Sequence, residues 1–130
     1  MKAFVDTNVF VAAVTDEPDR GVAATTFLDA DHEFQTSLLN LMELRSILSK
    51  KKRRERDRIE ALERRILGYV DLVVPDTADM VAADDLQRET FLYPIDCLIL
   101  ACAREQGSTL VSFDGELVDA GAVSPEELTD

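Results

Sequence analysis

The sequence predicts an α/β fold: a central, mostly parallel sheet of four or five strands, flanked by helices in a three-layer sandwich. Two observations carry that expectation. Short apolar runs alternate with longer segments of helical apolar spacing, the order expected of strand–helix units in a parallel sheet. Polar residues then interrupt the apolar runs where strands should pass into helices, which is where such sheets build their sites. The length of 130 residues and the 46% apolar content suit one compact core, and so a single domain over 1–130.

The elements follow in order. "KAFV" at 2–5 reads as a short buried strand, and "TNVFVAAV" at 7–14 as a short helix. A polar loop with Pro18 leads to a helix over 20–30, with Val22, Ala23, Thr26, Phe27 and Ala30 on one side. "HEFQT" is a weaker second strand. Ser37 opens the helix "SLLNLMELRSILSK", and the basic segment either continues it or starts a second helix after a break near 50–54. There Ile59, Leu62 and Ile66 keep the helical spacing and Gly68 marks the end. "DLVV" is a third strand, closed by Pro75. Asp76 or Thr77 caps a helix to about Gln87. Pro94 suits the first turn of "PIDCLILACAREQG", with Gly107 as its stop. "STLVSF" is the fourth strand, and a short fifth is expected near 121–123.

Composition excludes several classes. No early basic-then-apolar segment resembles a signal peptide, and no apolar stretch is long enough to span a bilayer. Cys97 and Cys102, at i, i+5 on one helix, point to different faces and read as core residues, not a disulfide or metal pair. A reducing cytoplasm is the expected location. His32 is the only histidine and reads as a strand or loop residue, so no zinc site is expected. The net charge is -12, which serves solubility and would also suit a salt-rich cytoplasm. Yet residues 50–65, "KKKRRERDRIEALERR", hold nine of the fourteen basic residues and only four of the 26 acidic ones. That is a localised electrostatic feature on an acidic chain.

Four carboxylates stand out. Asp6 ends the first strand and Asp114 the fourth, so they share one edge of a parallel sheet. Asp96 lies in the first turn of a helix whose next seven residues, "CLILACA", are apolar. Glu43 lies in line with Leu39 and Ile47, where burial is expected. Taken singly, each has a plain alternative: a helix cap, a turn residue or a core-edge salt bridge. Together, they would repel and desolvate one another, and a divalent cation relieves both costs. Carboxylate oxygens suit Mg2+ or Mn2+.

"VDTNVF", "LMELRSIL", "YPIDCLILACA" and "LVSFDGEL" stand in the order and spacing of a PIN domain, and the chain most resembles the VapC-type ribonuclease toxins. The resemblance spans nearly the whole chain. It implies a metal-dependent endoribonuclease, with Asp6, Glu43, Asp96 and Asp114 as the acidic metal-binding set. Thr7, Asn8 and Ser112 match the polar positions that order the acids, and Asp119 is a weaker alternative to Asp114. Hydrolysis with Mg2+ or Mn2+ would leave 5'-phosphate and 3'-hydroxyl ends. The resemblance also implies an RNA substrate, a cognate antitoxin and a homodimer. Lys50, Lys51, Lys52, Arg53, Arg54, Arg56 and Arg58 are candidate RNA-phosphate contacts beside the pocket, or a solvated face with internal Glu–Arg pairs.

Rival families fit less well. A phosphoryl-receiver domain needs a lysine after its last core strand, and none follows Lys52. A haloacid-dehalogenase-type phosphatase needs an aspartate two positions after its nucleophile, where Asn8 stands. An RNA-processing PIN nuclease outside any toxin–antitoxin pair, and an inactive PIN scaffold binding RNA or protein, remain open alternatives.

Overall fold

The computed structural model describes residues 1–128. Four strands, β1 (Lys2–Val5), β2 (Glu33–Ser37), β3 (Asp71–Val73) and β4 (Thr109–Val111), form one sheet in the order β3-β2-β1-β4. All three pairings are parallel, with Ala3 opposite Phe34 and Thr109, and Thr36 opposite Leu72. The helices are α1 (Thr7–Val14), α2 (Gly21–Asp29), α3 (Leu38–Ser46), α4 (Arg56–Leu67), α5 (Thr77–Glu89), α6 (Pro94–Glu105) and α7 (Gly115–Asp119). Among the described residues, no helix is long and apolar enough to cross a membrane.

Strand alternation sorts the core into two layers. Ala3, Val5 and Val111 face α1, α2, α3 and α4, packing with Val9, Phe10, Phe27, Leu44, Ile59 and Ile66. Phe4 and Leu110 face the other way, onto Ala83, Leu86, Cys97, Leu100 and Leu117 from α5, α6 and α7. Both cysteines are free and buried, as their spacing predicts. His32 is a loop residue whose ring lies 5.4 Å from that of Phe27 and 5.8 Å from that of Phe34.

The helix boundaries have local causes. Asp76 caps α5 by accepting from the Asp79 N–H at 3.0 Å. Pro94 takes the first position of α6. Gly107, at φ +67°, ends α6: its N–H bonds the Arg104 carbonyl, and that of Ser108 bonds the Ala103 carbonyl. Gly68 ends α4 too, but in right-handed backbone at φ −72°. The break inside the basic segment is real. After Ser46 the helix widens into a π-turn over Ile47–Lys51, then stops as Arg53 takes φ +50°. Like charges on neighbouring turns oppose helix continuation there. Arg45 then ties α3 to α4 with a two-pronged bond to Glu63, at 2.9 and 2.7 Å.

Two expectations change. The fifth strand shrinks to a single parallel bridge, Val111 to Val123. Val123 spends both backbone groups on Leu110 and Ser112, and Pro125, which has no N–H, opens a 3-10 turn two residues later. The sheet is therefore four-stranded. The short helix α7 was not expected, because five residues carry no readable period.

Candidate active site

The parallel sheet brings the carboxyl ends of β1 and β4 side by side. The Asp6 N–H donates to the Val111 carbonyl at 3.0 Å, so Asp6 and Ser112 leave the sheet as neighbours. Asp6 is 6% exposed and caps α1. Its Oδ1 accepts from the Thr7 N–H at 2.8 Å and from Asn40 Nδ2 at 3.1 Å. Its Oδ2 accepts from Ser112 Oγ at 2.7 Å and, at a long 3.5 Å, from Asn8 Nδ2. Among the described residues, neither oxygen pairs with a cation. Burial pushes the carboxyl up, the Ser112 and Thr7 bonds pull it back, and Glu43 and Asp114 push it up again.

The supporting groups are themselves held. Ser112 Oγ accepts from Asn8 Nδ2 and from the Asp114 N–H, both at 3.0 Å. Asn8 Oδ1 accepts from the Phe113 N–H at 3.1 Å. Thr7 Oγ1 donates to the Asn40 carbonyl at 3.2 Å and accepts from Asn40 Nδ2 at 3.1 Å. Asn40 in turn forms a capping box with Ser37, whose Oγ donates to Asn40 Oδ1 at 2.6 Å. Among the described residues, no buried side-chain nitrogen or oxygen lacks a hydrogen-bond partner.

Asp6, Asn8, Glu43, Asp96 and Asp114 line one cavity of about 310 Å³, together with Val11, Glu17, Arg20 and Ile47. The four expected acids thus meet at one edge of the sheet. Asp96 is half-buried in the first turn of α6. Asp114 is half-buried and also caps α7, accepting from the Glu116 N–H at 2.9 Å. Glu43 is exposed, which corrects its expected burial. Leu39 and Ile47 beside it are only half-buried and Met42 is 57% exposed. The residues that α3 and its π-turn bury are Asn40, Leu41, Leu44 and Leu48. Asp119 lies outside the cavity, exposed in a cleft with Thr90 and Phe91.

None of the seven basic candidates lines the acid cavity. Lys50 and Lys51 lie in the π-turn, Lys52, Arg53 and Arg54 in the connection, and Arg56 and Arg58 in α4. Arg54 and Arg56 line a separate cleft of about 460 Å³ with Arg45 and Glu63, and Arg58 lines a groove against α1 and α2. Arg56 is ion-paired with Glu60 at 3.3 Å. Ile47, three residues before Lys50, lines the acid cavity. Asn40, Glu17 and Arg20 were not expected at the site.

The donor set is all oxygen, which fits Mg2+ or Mn2+ and not zinc. Among the described residues, no three His, Cys, Asp or Glu side chains already form a metal cage. That is compatible with Mg2+, which commonly takes one or two carboxylates and completes its shell with waters and substrate phosphate. The chemistry of the cavity agrees. Asp96 is pushed from 3.8 up to about 6, by burial first and then by Asp6, Asp114, Glu43 and Glu116. A folded-state value above the unfolded one means that the folded chain binds the proton more tightly. The associated stability is fully present below about 3.8 and is lost as pH rises through about 6. We expect native protein, melted without metal, to lose stability relative to Asp96→Asn between about pH 4 and 6 and hold a constant difference above. Thermal melts at stepped pH check this, and millimolar Mn2+ should narrow the difference at pH 7.

The PIN domain family model matches residues 3–123. The chain belongs to the PIN domain family. Solved structures of low sequence identity share its fold. VapC20 of Mycobacterium tuberculosis, described as a sarcin-ricin loop cleaving toxin, superposes with a TM-score of 0.77 at 22% identity, over 93% of this chain and 96% of that one. A toxin-antitoxin complex from Klebsiella pneumoniae gives 0.74 at 21%, over 95% and 97%. VapBC2 from Rickettsia felis, bound to a promoter DNA fragment, gives 0.74 at 19%, also over 95% and 97%. No curated protein matches the sequence. The PIN fold accounts for the parallel sheet whose carboxyl edge carries the acid cavity.

Proposed function

We propose that this PIN domain is a divalent-metal-dependent endoribonuclease, acting as the toxin of a type II toxin–antitoxin pair. The observation that carries this reading is the acid cavity: four carboxylates meet there, and the most buried of them, Asp6, has no cationic partner. Asp6, Glu43, Asp96 and Asp114 would hold Mg2+ or Mn2+. The ion supplies positive charge at the reacting phosphate and a means of acidifying water near neutral pH.

The chain's own residues supply orientation. Thr7, Asn40 and Ser112 fix both oxygens of Asp6, and the Ser112 and Thr7 bonds offset part of the rise that burial imposes on its carboxyl. Asn8 braces Ser112 and the Phe113 backbone, which sets the path of the chain from β4 to Asp114. Asp96 sheds its proton near pH 6, so the cavity reaches full negative charge only above that value. The Lys50–Arg58 segment begins beyond Ile47 and is the proposed track for RNA phosphates approaching the cavity. The toxin assignment rests on the structural neighbours from toxin–antitoxin complexes and brings with it a protein antitoxin as partner; the homodimer rests on the family resemblance alone.

The test is incubation of purified protein with structured RNAs, including a tRNA and a sarcin–ricin stem-loop, in Mg2+, Mn2+ or EDTA. Cutting in metal but not in EDTA, with 5'-phosphate ends, is the expected result. No cutting of any RNA in either metal would return the chain to the inactive-scaffold reading.

A further inference from the structure

We propose that Arg20 is a phosphate clamp: its guanidinium grips a backbone phosphate of the substrate strand at the rim of the acid cavity. This rests on the nuclease reading and adds a substrate contact to it. Arg20 is the one basic side chain among the described residues lining that cavity. A guanidinium there would be expected to bond Asp6, Asp96 or Asp114. It pairs instead with Glu17, where Nε donates to Oε2 at 2.9 Å and an Nη nitrogen lies 2.9 Å from the same oxygen. Its other restraint is aromatic. The guanidinium carbon stands 5.0 Å from the centre of the Phe113 ring.

Carboxylate and ring together set the plane of the fork, while the side chain stays 42% exposed. A guanidinium has five N–H groups; Nε–H donates to Glu17, and one Nη nitrogen lies beside the same oxygen without a hydrogen bond of its own. The Nη N–H groups are left for an anion, and a planar fork suits the two non-bridging oxygens of a phosphodiester.

The backbone beneath Arg20 is equally fixed. The Glu17 N–H bonds the Ala12 carbonyl at 3.1 Å, and the Gly21 N–H bonds the Glu17 carbonyl at 2.8 Å. A Cβ on Gly21 would lie 3.1 Å from the Asp16 carbonyl carbon and 3.2 Å from the Ala12 oxygen, so glycine lets this loop pack closely against α1. Phe113 is anchored through its N–H to Asn8, one of the residues that orders Asp6. The clamp and the acids therefore share one rigid frame. The bland alternative is that Arg20 only offsets negative charge, which any cation would do. Lysine separates the two roles, since it keeps the charge and loses the fork.

The experiment compares native protein, Arg20→Lys and Arg20→Met in three readouts. These are steady-state RNA cleavage in Mn2+, Mn2+ affinity by calorimetry, and anisotropy of a short fluorescein-labelled RNA in Ca2+, with the strand checked intact on a gel. Both variants should weaken RNA binding and raise KM roughly tenfold or more, with Mn2+ affinity unchanged. Native behaviour in Arg20→Lys would overturn the clamp, as would a loss confined to kcat or a parallel loss of Mn2+ affinity. RNA that native protein does not bind at all would also overturn it. Binding that Arg20→Lys weakens, with no cleavage by native protein, would uphold the clamp and overturn the nuclease reading.

Discussion

Asp6→Asn should reduce RNA hydrolysis by about a thousandfold or more, roughly 4 kcal/mol of barrier, while leaving the fold nearly as stable. The loss follows from charge. Asparagine keeps the shape of aspartate and removes the one acid of the cavity that is almost wholly buried and bonded at both oxygens. The stability change has two opposing parts. Removing a buried charge that Glu43 and Asp114 repel is favourable. Against it, an Nδ2 group would face Ser112 Oγ, which already accepts from Asn8 Nδ2 and the Asp114 N–H. Three donors cannot share two lone pairs, so one hydrogen bond is lost, worth about 1 kcal/mol. Single-turnover cleavage beside a thermal melt reads both quantities. A variant that still cuts within tenfold of native would contradict the role given to Asp6.

Asn40→Ala should destabilise the protein by about 3 kcal/mol or more, a large fraction of a typical domain's total. Asn40 is fully buried and bonds three partners with its side chain. Its Nδ2 donates to Asp6 Oδ1 and Thr7 Oγ1, and its Oδ1 accepts from the Ser37 hydroxyl and N–H. Alanine leaves the buried polar groups of Asp6, Thr7 and Ser37 short of partners, at about 1–3 kcal/mol each. It also removes one side of the capping box at α3, the Asn40 oxygen that accepts from the Ser37 N–H. Urea unfolding measures the loss. Asn40→Asp should also be destabilised at neutral pH, because it sets a second carboxyl against Asp6, and should regain stability as pH falls. A change below 1 kcal/mol for Asn40→Ala would mean that the network contributes little.

Much of this was legible in the sequence, and the exceptions have physical causes. β1 and Asp6 could be read because an apolar run stopping at an acid is a strong signal. α6 could be read because Pro94 and Gly107 bracket seven apolar residues that do pack inward, Leu98 less fully than the rest. Glu43 was misjudged. α3 offers two apolar stripes: Leu39 with Ile47, and Leu41 with Leu44 and Leu48. The one holding Asn40 faces the core. An asparagine at i−4 and i−8 to two buried leucines was the available clue, but a polar residue between leucines reads more easily as surface. Glu17 and Arg20 lie in a polar loop without period, and only tertiary packing brings them to the cavity. The basic segment was visible as charge, yet its direction was not. The π-turn and the left-handed Arg53 bend the chain there, none of its basic residues lines the acid cavity, and no apolar period marks that bend.

The central claim is that the cavity acids act together as a divalent-metal site. The most direct test is calorimetric titration of Mn2+ into native protein and into an Asp6→Asn/Asp96→Asn variant at pH 7, with thermal melts confirming that both are folded. Saturable binding by native protein that the variant lacks is the predicted result. Equal binding by both proteins, or none by the native chain, would contradict it.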